Sequence, residues 1–135
     1  MKPVRVLLIV LAITLGPACN SRTDEDQRAR QTATDFYSAF AQQDGTAACA
    51  LLAPRTQHEI EKSAKQPCDE AITDEDLPAE LGRIIDTTVH GNEARVAADG
   101  DTVFVSDFGG AWRIVAVGCT PQAGDLPYDC EIQGG

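Results

Sequence analysis

Apolar residues recur at helical spacing near the start of the chain. Four of them lie four, three and four positions apart: Ala29, Ala33, Phe36 and Phe40. At about 100° per residue they fall within one narrow arc of a helix, which we call the apolar stripe. Acidic residues at 24–26 are typical of a first helical turn. The pattern therefore predicts an amphipathic helix over residues 24–43, with Tyr37 beside the stripe.

A short second helix is predicted directly after the first. Asp44-Gly45 is expected to end the long helix, with Gly45 in the left-handed conformation that glycine adopts readily. Thr46 is expected to cap a helix that carries Cys49 and ends at Leu52.

A third helix and an acidic segment follow. Residues 55–65 are expected to form a mostly solvated helix with Ile60 and Ala64 turned inward. Residues 69–80 contain six acidic residues and no basic ones, and Pro78 limits any helix there to a turn. We expect a solvated acidic loop, because the segment lacks the ligand spacing and the glycine of a calcium-binding EF-hand.

From residue 81 onward the periodicity changes from helical to extended. Four runs are rich in β-forming residues: 84–89, 94–98, 102–108 and 111–119. Turn residues separate these runs, among them Asp99-Gly100-Asp101. This spacing predicts an antiparallel meander. The last run is apolar on both faces, which favours a central strand beneath helices, and residues 120–135 are expected to be a loop. The predicted fold class is α+β, with N-terminal helices packed on a curved, four-stranded antiparallel sheet.

The first residues have the composition of an export signal. Lys2 and Arg5 give a short positive region, and residues 6–15 are apolar except for Thr14. That run is shorter than the roughly 20 residues needed to span a bilayer, but it fits the core of a signal peptide.

The end of this leader resembles the lipobox of bacterial lipoproteins, in which cleavage leaves a lipid-modified cysteine at the new N-terminus. Ala18 before Cys19 fits that pattern, whereas Gly16 stands where the family prefers leucine. We expect lipid attachment at Cys19 and a location on the outer face of the cell membrane. The expected organisation is a lipoprotein signal peptide, a lipidated cysteine with its tether, and one domain: residues 1–18, 19–22 and 23–135. Two alternatives stay open: cleavage after Ala18 by an ordinary signal peptidase would release a secreted protein, and a free Cys19 could pair with another chain.

Five cysteines raise the question of pairing in an exported protein. If Cys19 carries a lipid, four remain, and these can form two disulfides in three ways. Pairing by sequence neighbourhood gives Cys49–Cys68 and Cys119–Cys130, which we predict while the other connectivities stay open. No CxxC spacing occurs, so thioredoxin-like redox chemistry and zinc-ribbon sites lose support.

Length and charge narrow the range of partners. With 135 residues the chain has room for one domain, and its net charge of −10 becomes more negative once the leader is removed. Phosphate binding needs a basic surface, so no nucleic-acid partner is expected. The same charge disfavours docking on anionic lipid headgroups, which leaves the lipid anchor as the expected membrane contact.

No pattern of catalytic, cofactor or metal residues occurs in the sequence. His58 is expected on the polar face of a helix and His90 in a turn, without HxH or HExxH spacing. The serines lack a GxSxG elbow, and there is no glycine-rich nucleotide loop. Asp35, Tyr37 and Asp107 are candidates only for lining a pocket between the long helix and the sheet. We therefore assign no catalytic residue, no cofactor and no metal ligand.

Two segments resemble known families. Residues 32–52, TATDFYSAFAQQDGTAACALL, resemble the opening of the nuclear transport factor 2-like, or cystatin-like, cone fold, where a helix with paired aromatics leads through a DG turn into ACALL. The last residues, WRIVAVGCTPQAGDLPYDCEIQGG, resemble a group of small uncharacterised lipoproteins from high-GC Gram-positive bacteria. The resemblance implies a cone-like domain, but the catalytic Asp and His sets of that superfamily have no counterparts here.

Two functions follow as hypotheses. The first is a non-catalytic binding or accessory domain held at the membrane surface, with its protein or small-molecule partner unspecified. The second is a small cavity enzyme, isomerase-like or dehydratase-like, that uses Asp35, Tyr37 or Asp107. A closed apolar interior favours the first, and a deep pocket with converging carboxylates favours the second.

Overall fold

Four helices precede five strands in the part of the chain that the computed structural model describes, residues 21–134. The helices are α1 Ser21–Ala41, α2 Gly45–Leu51, α3 Pro54–Ala64 and α4 Cys68–Ala71, which continues into a 3-10 turn at Ile72–Asp74. The strands are β1 Ile84–His90, β2 Glu93–Ala98, β3 Thr102–Asp107, β4 Trp112–Thr120 and β5 Asp129–Gln133. The expected signal peptide and the lipid site at Cys19 lie outside the described residues.

The helix predicted from the apolar stripe is present and begins earlier than expected. Because α1 starts at Ser21, residues 21–22 of the expected tether are helical. The end of α1 corrects two expectations about the turn that follows. Gln43, with φ of 58°, takes the left-handed position, and Asp44 caps α2 by accepting a hydrogen bond from Ala47 N at 3.0 Å. Gly45 is needed for a different reason, since its Cα lies against the backbone of Asp69 and leaves no room for a side chain.

Two further expectations about the helical half are wrong in detail. In α3 the buried residues are Thr56 and Ile60, whereas Ala64 is exposed. The helix ends there, and Lys65 turns the chain away with φ of 56°. The acidic segment is not simply a solvated loop, because α4 and the 3-10 turn occupy its first residues and bury Ala71 and Ile72.

The sheet is an antiparallel meander of five strands, in the order β1-β2-β3-β4-β5. The expectation of four strands and a C-terminal loop is therefore wrong. β5 forms within that segment because Cys130 pairs with Cys119 of β4 and because Ile132 is buried. With a partner on each side, β4 occupies a central position, as its two apolar faces predicted.

The core lies between the helices and one face of the sheet, which makes the domain α+β. All four residues of the apolar stripe are buried, and they share one apolar cluster with Trp112 and Ile114 of β4. Phe36 is fully buried, as are Val96 and Ile114 from the sheet. Side chains thus fill the space between the apolar stripe of α1 and the sheet, which makes it a closed interior. The exposed flank of α1 borders an open surface depression at the start of β4, where Arg28 and Asp35 lie near Trp112 and Arg113.

Candidate functional site

An open cleft lies on the sheet face opposite α1. Side chains alternate along a strand, so the neighbours of the buried Val103 and Val105 on β3 point away from the core. The resulting cleft has a volume of about 510 Å³. Apolar residues form much of its lining, among them Phe104, Val115, Ala116 and Pro127. Its polar residues include His90, Glu93, Arg95 and Gln133.

One wall of the cleft comes from the connection between β4 and β5. The ring of Tyr128 meets the ring of Phe104 edge to face, with 5.0 Å between centroids and an interplanar angle of 75°. Arg95 Nη1 donates a hydrogen bond to Tyr128 Oη at 3.3 Å. The Cys119–Cys130 disulfide fastens the chain just beyond this tyrosine. The wall is therefore held by an aromatic contact, a hydrogen bond and a covalent link.

Arg95 supplies the positive charge in the lining of the cleft, and that charge is already paired. Arg95 Nη2 lies 2.8 Å from Asp86 Oδ2 on the neighbouring strand. Hydrogen bonds from Thr88 and then from Arg95 lower the pKa of Asp86. Arg95 Nε is buried and has no protein acceptor within the described residues, so one donor of the guanidinium is unused by the fold.

A buried carboxylate that the sequence did not single out lies at the far end of the core. Asp101, which is 7% exposed, accepts hydrogen bonds from Tyr37 Oη at 2.7 Å, from Gly118 N at 2.9 Å and from Cys119 N at 2.8 Å. Burial, and then the bond to Asp101, raises the pKa of Tyr37. Asp101 is hydrogen-bonded to Tyr37 and to two backbone N–H groups. The pair therefore joins α1 to the sheet instead of forming an open site.

The residues considered for a catalytic pocket do not come together. Asp35 is exposed and accepts a hydrogen bond from Gln31 at 2.7 Å, while Asp107 accepts one from Gly110 N at 2.6 Å in the β3–β4 turn. Tyr37 points into the core, as described above. The two histidines are also apart: His58 is exposed on α3, and His90 lines the cleft at the end of β1.

Both disulfides connect neighbouring elements. Cys49–Cys68 joins α2 to α4, with 6.0 Å between Cα atoms, and Cys119–Cys130 joins β4 to β5. These are the pairs that sequence neighbourhood suggested among the three connectivities. The second pair also belongs to the cleft, since Cys130 contributes to its lining.

No group of three or more His, Cys, Asp or Glu side chains within residues 21–134 is placed to hold a metal ion. Within the same range, every helix is too short or too polar to cross a bilayer.

Comparison with known protein families, with curated proteins and with solved structures gives no match to this chain.

Proposed function

We propose that the chain is an extracytoplasmic lipoprotein, tethered to the membrane through Cys19, whose domain binds a small, largely apolar ligand without catalysis. The observation that carries the binding part is the cleft on the open face of the sheet. Ligand sites are typically concave and mostly apolar, with a few polar groups that set orientation. The cleft of about 510 Å³ has this character, with Arg95 and Gln133 among its polar groups.

The chemistry of the cleft favours binding over catalysis. Its carboxylate, Glu93, has no second carboxylate among the lining residues. His90 and Ser106 lie opposite Glu93 on the two neighbouring strands, but no hydrogen bond joins the three side chains, so they do not form an assembled nucleophile–base pair. Arg95 gives the lining a cationic group, which suits a ligand that carries an oxygen acceptor next to an apolar body. We also propose that the domain belongs to the cone-like, cystatin-like class, supported by its N-terminal helices and antiparallel meander. Because the interior beneath α1 is closed, the proposed binding surface lies on the opposite face of the sheet.

The cavity-enzyme hypothesis has less support. It needs acidic residues that converge on a pocket, and Asp35, Tyr37 and Asp107 lie in separate surroundings. Asp101 is buried beside Tyr37, but every contact described for it is a hydrogen bond within the fold.

A dye titration tests the binding site. 8-Anilinonaphthalene-1-sulfonate combines aromatic rings with an anionic acceptor, so the folded domain is expected to bind it saturably. Tyr128→Ala removes the aromatic wall and should weaken this binding by about tenfold, equivalent to about 1.4 kcal/mol. Leu126→Ala is the matched control, because Leu126 is 62% exposed on the same connection and lies outside the cleft lining. Equal affinity in all three proteins would contradict the assignment of the cleft.

Cell fractionation tests the tether separately. The full chain should partition with the membrane and carry a lipid mass on Cys19, and Cys19→Ala should be released or left unprocessed. A soluble mature protein beginning at an unmodified Cys19 would instead support simple secretion.

A further inference from the structure

A phenylalanine stands exposed at the tip of the β3–β4 hairpin. Phe108 is 52% exposed, and the two glycines that follow it have open space around them. The turn is nevertheless fixed, because Phe108 N donates to Ala111 O at 3.0 Å and Asp107 accepts from Gly110 N. We call residues 108–110 the hairpin tip. The fold thus holds the exposed ring of Phe108 on a hydrogen-bonded turn. Only a contact with another molecule could bury this ring.

Two hydrogen bonds fix where this tip lies relative to α1. Trp112 Nε1, at the base of the hairpin, donates to Glu25 at 2.7 Å, and Tyr37 donates to Asp101 at the other end of β3. From Glu25 to Tyr37 a helix rises about 18 Å. From Asp101 to Asp107, which pairs with Trp112, a strand covers about 20 Å. The nearly equal lengths show that α1 runs along the strand direction, so its N-terminus lies at the end of the sheet that carries the hairpin tip.

The distance to the proposed lipid is short. Cys19 precedes the first residue of α1 by two positions, which an extended chain spans in about 7 Å. Ser21 lies about 6 Å along the helix axis from the level of Glu25. The polar layer on each side of a bilayer is itself about 5–7 Å deep. A lipid on Cys19 therefore holds the hairpin tip within reach of the same membrane surface.

We propose that the hairpin tip docks on the phospholipid surface in which the lipid of Cys19 is embedded, with the ring of Phe108 at the level of the headgroups. This inference rests on the tether in the proposed function. Charged residues of both signs also lie at this end of the domain: Asp24, Glu93 and Asp107, with Arg28 and Arg113. The contact therefore depends on the ring rather than on charge. Docking sets the strands upright on the membrane and directs the cleft sideways.

Quenching by brominated lipid tests the contact. The mature, membrane-extracted chain is reconstituted in phosphatidylcholine vesicles that carry brominated acyl chains, once as Phe108→Trp and once as Leu126→Trp. The fluorescence of Trp112 in the unsubstituted chain is subtracted. Leu126 is the matched control, because it is an exposed apolar residue on the connection at the opposite end of the sheet. We expect a blue shift and loss of fluorescence for Phe108→Trp only.

The outcomes separate the docking from the tether. Mass spectrometry of the same sample reports whether Cys19 is acylated. If it is acylated and Phe108→Trp is quenched no more than Leu126→Trp, docking is refuted and the tether stands. If Cys19 is unmodified, the tether fails and the docking fails with it.

Discussion

Replacing Asp101 by asparagine tests the buried carboxylate directly. The change keeps the shape of the side chain but leaves one oxygen where there were two. Asp101 Oδ2 accepts from Tyr37 and Gly118, and Oδ1 accepts from Cys119. Whichever way the amide is turned, its NH₂ group faces at least one backbone N–H. A buried donor is then left without an acceptor.

The magnitude follows from this loss. An unsatisfied buried group costs about 1–3 kcal/mol, and hydrogen bonds to a charged acceptor are worth about 1.5–3 kcal/mol. We therefore expect Asp101→Asn to lower the free energy of unfolding by about 2–4 kcal/mol. Tyr37→Phe is the matched control, because it removes one hydroxyl and leaves both backbone donors satisfied. Its expected cost is about 1 kcal/mol.

Urea unfolding at neutral pH with both disulfides intact measures these differences. The midpoints should fall in the order wild type, Tyr37→Phe, Asp101→Asn, with similar slopes. If Asp101→Asn unfolds within about 0.5 kcal/mol of wild type, the three hydrogen bonds do not stabilise the fold as argued. An equal loss in both variants would place the whole effect on the tyrosine hydroxyl.

Three further predictions concern the core and two titrating groups, the first two tested by urea unfolding and the third by absorbance. Phe36→Ala should cost about 3–5 kcal/mol and exposed Lys62→Ala less than about 0.5 kcal/mol; equal costs would mean that α1 does not sit on the sheet as described. Burial, and then neighbouring acids, raises the pKa of Glu75, so its charge opposes folding as pH rises; Glu75→Gln should raise the urea midpoint at neutral pH, with no gain below the ordinary value of 4.5. In Tyr128→Phe, Tyr37 is the sole tyrosine, and tyrosinate absorbance should appear only on alkaline unfolding, not reversibly near pH 10.

Local pattern was sufficient to predict α1 and four of the strands. The apolar stripe predicts α1 because every fourth or third residue is buried, and the runs of β-forming residues between turns predict β1 to β4. The sequence did not predict β5 because this strand has a single buried aliphatic residue, Ile132, between two polar neighbours. Its structure depends on pairing with β4, which a local pattern does not express.

The buried carboxylate and the cleft were hidden for a related reason. Asp99-Gly100-Asp101 has the composition of a turn, and it is one, but the partners of Asp101 come from α1 and from the end of β4. The wall of the cleft requires Tyr128 to fold back over Phe104. Both features join residues that are distant in sequence, so composition and spacing gave no sign of them.

The arrangement of the disulfides has a consequence for how the protein matures. Each bridge joins cysteines that are consecutive in the chain, and the two closed loops neither overlap nor enclose one another. An oxidase that joins cysteines in the order in which they are exported would form Cys49–Cys68 first and Cys119–Cys130 second, with no need for an isomerase. A free Cys19 would be exported before all of them and would form a disulfide with Cys49. Acylation of Cys19 before oxidation would therefore prevent a Cys19–Cys49 bridge as well as anchor the chain.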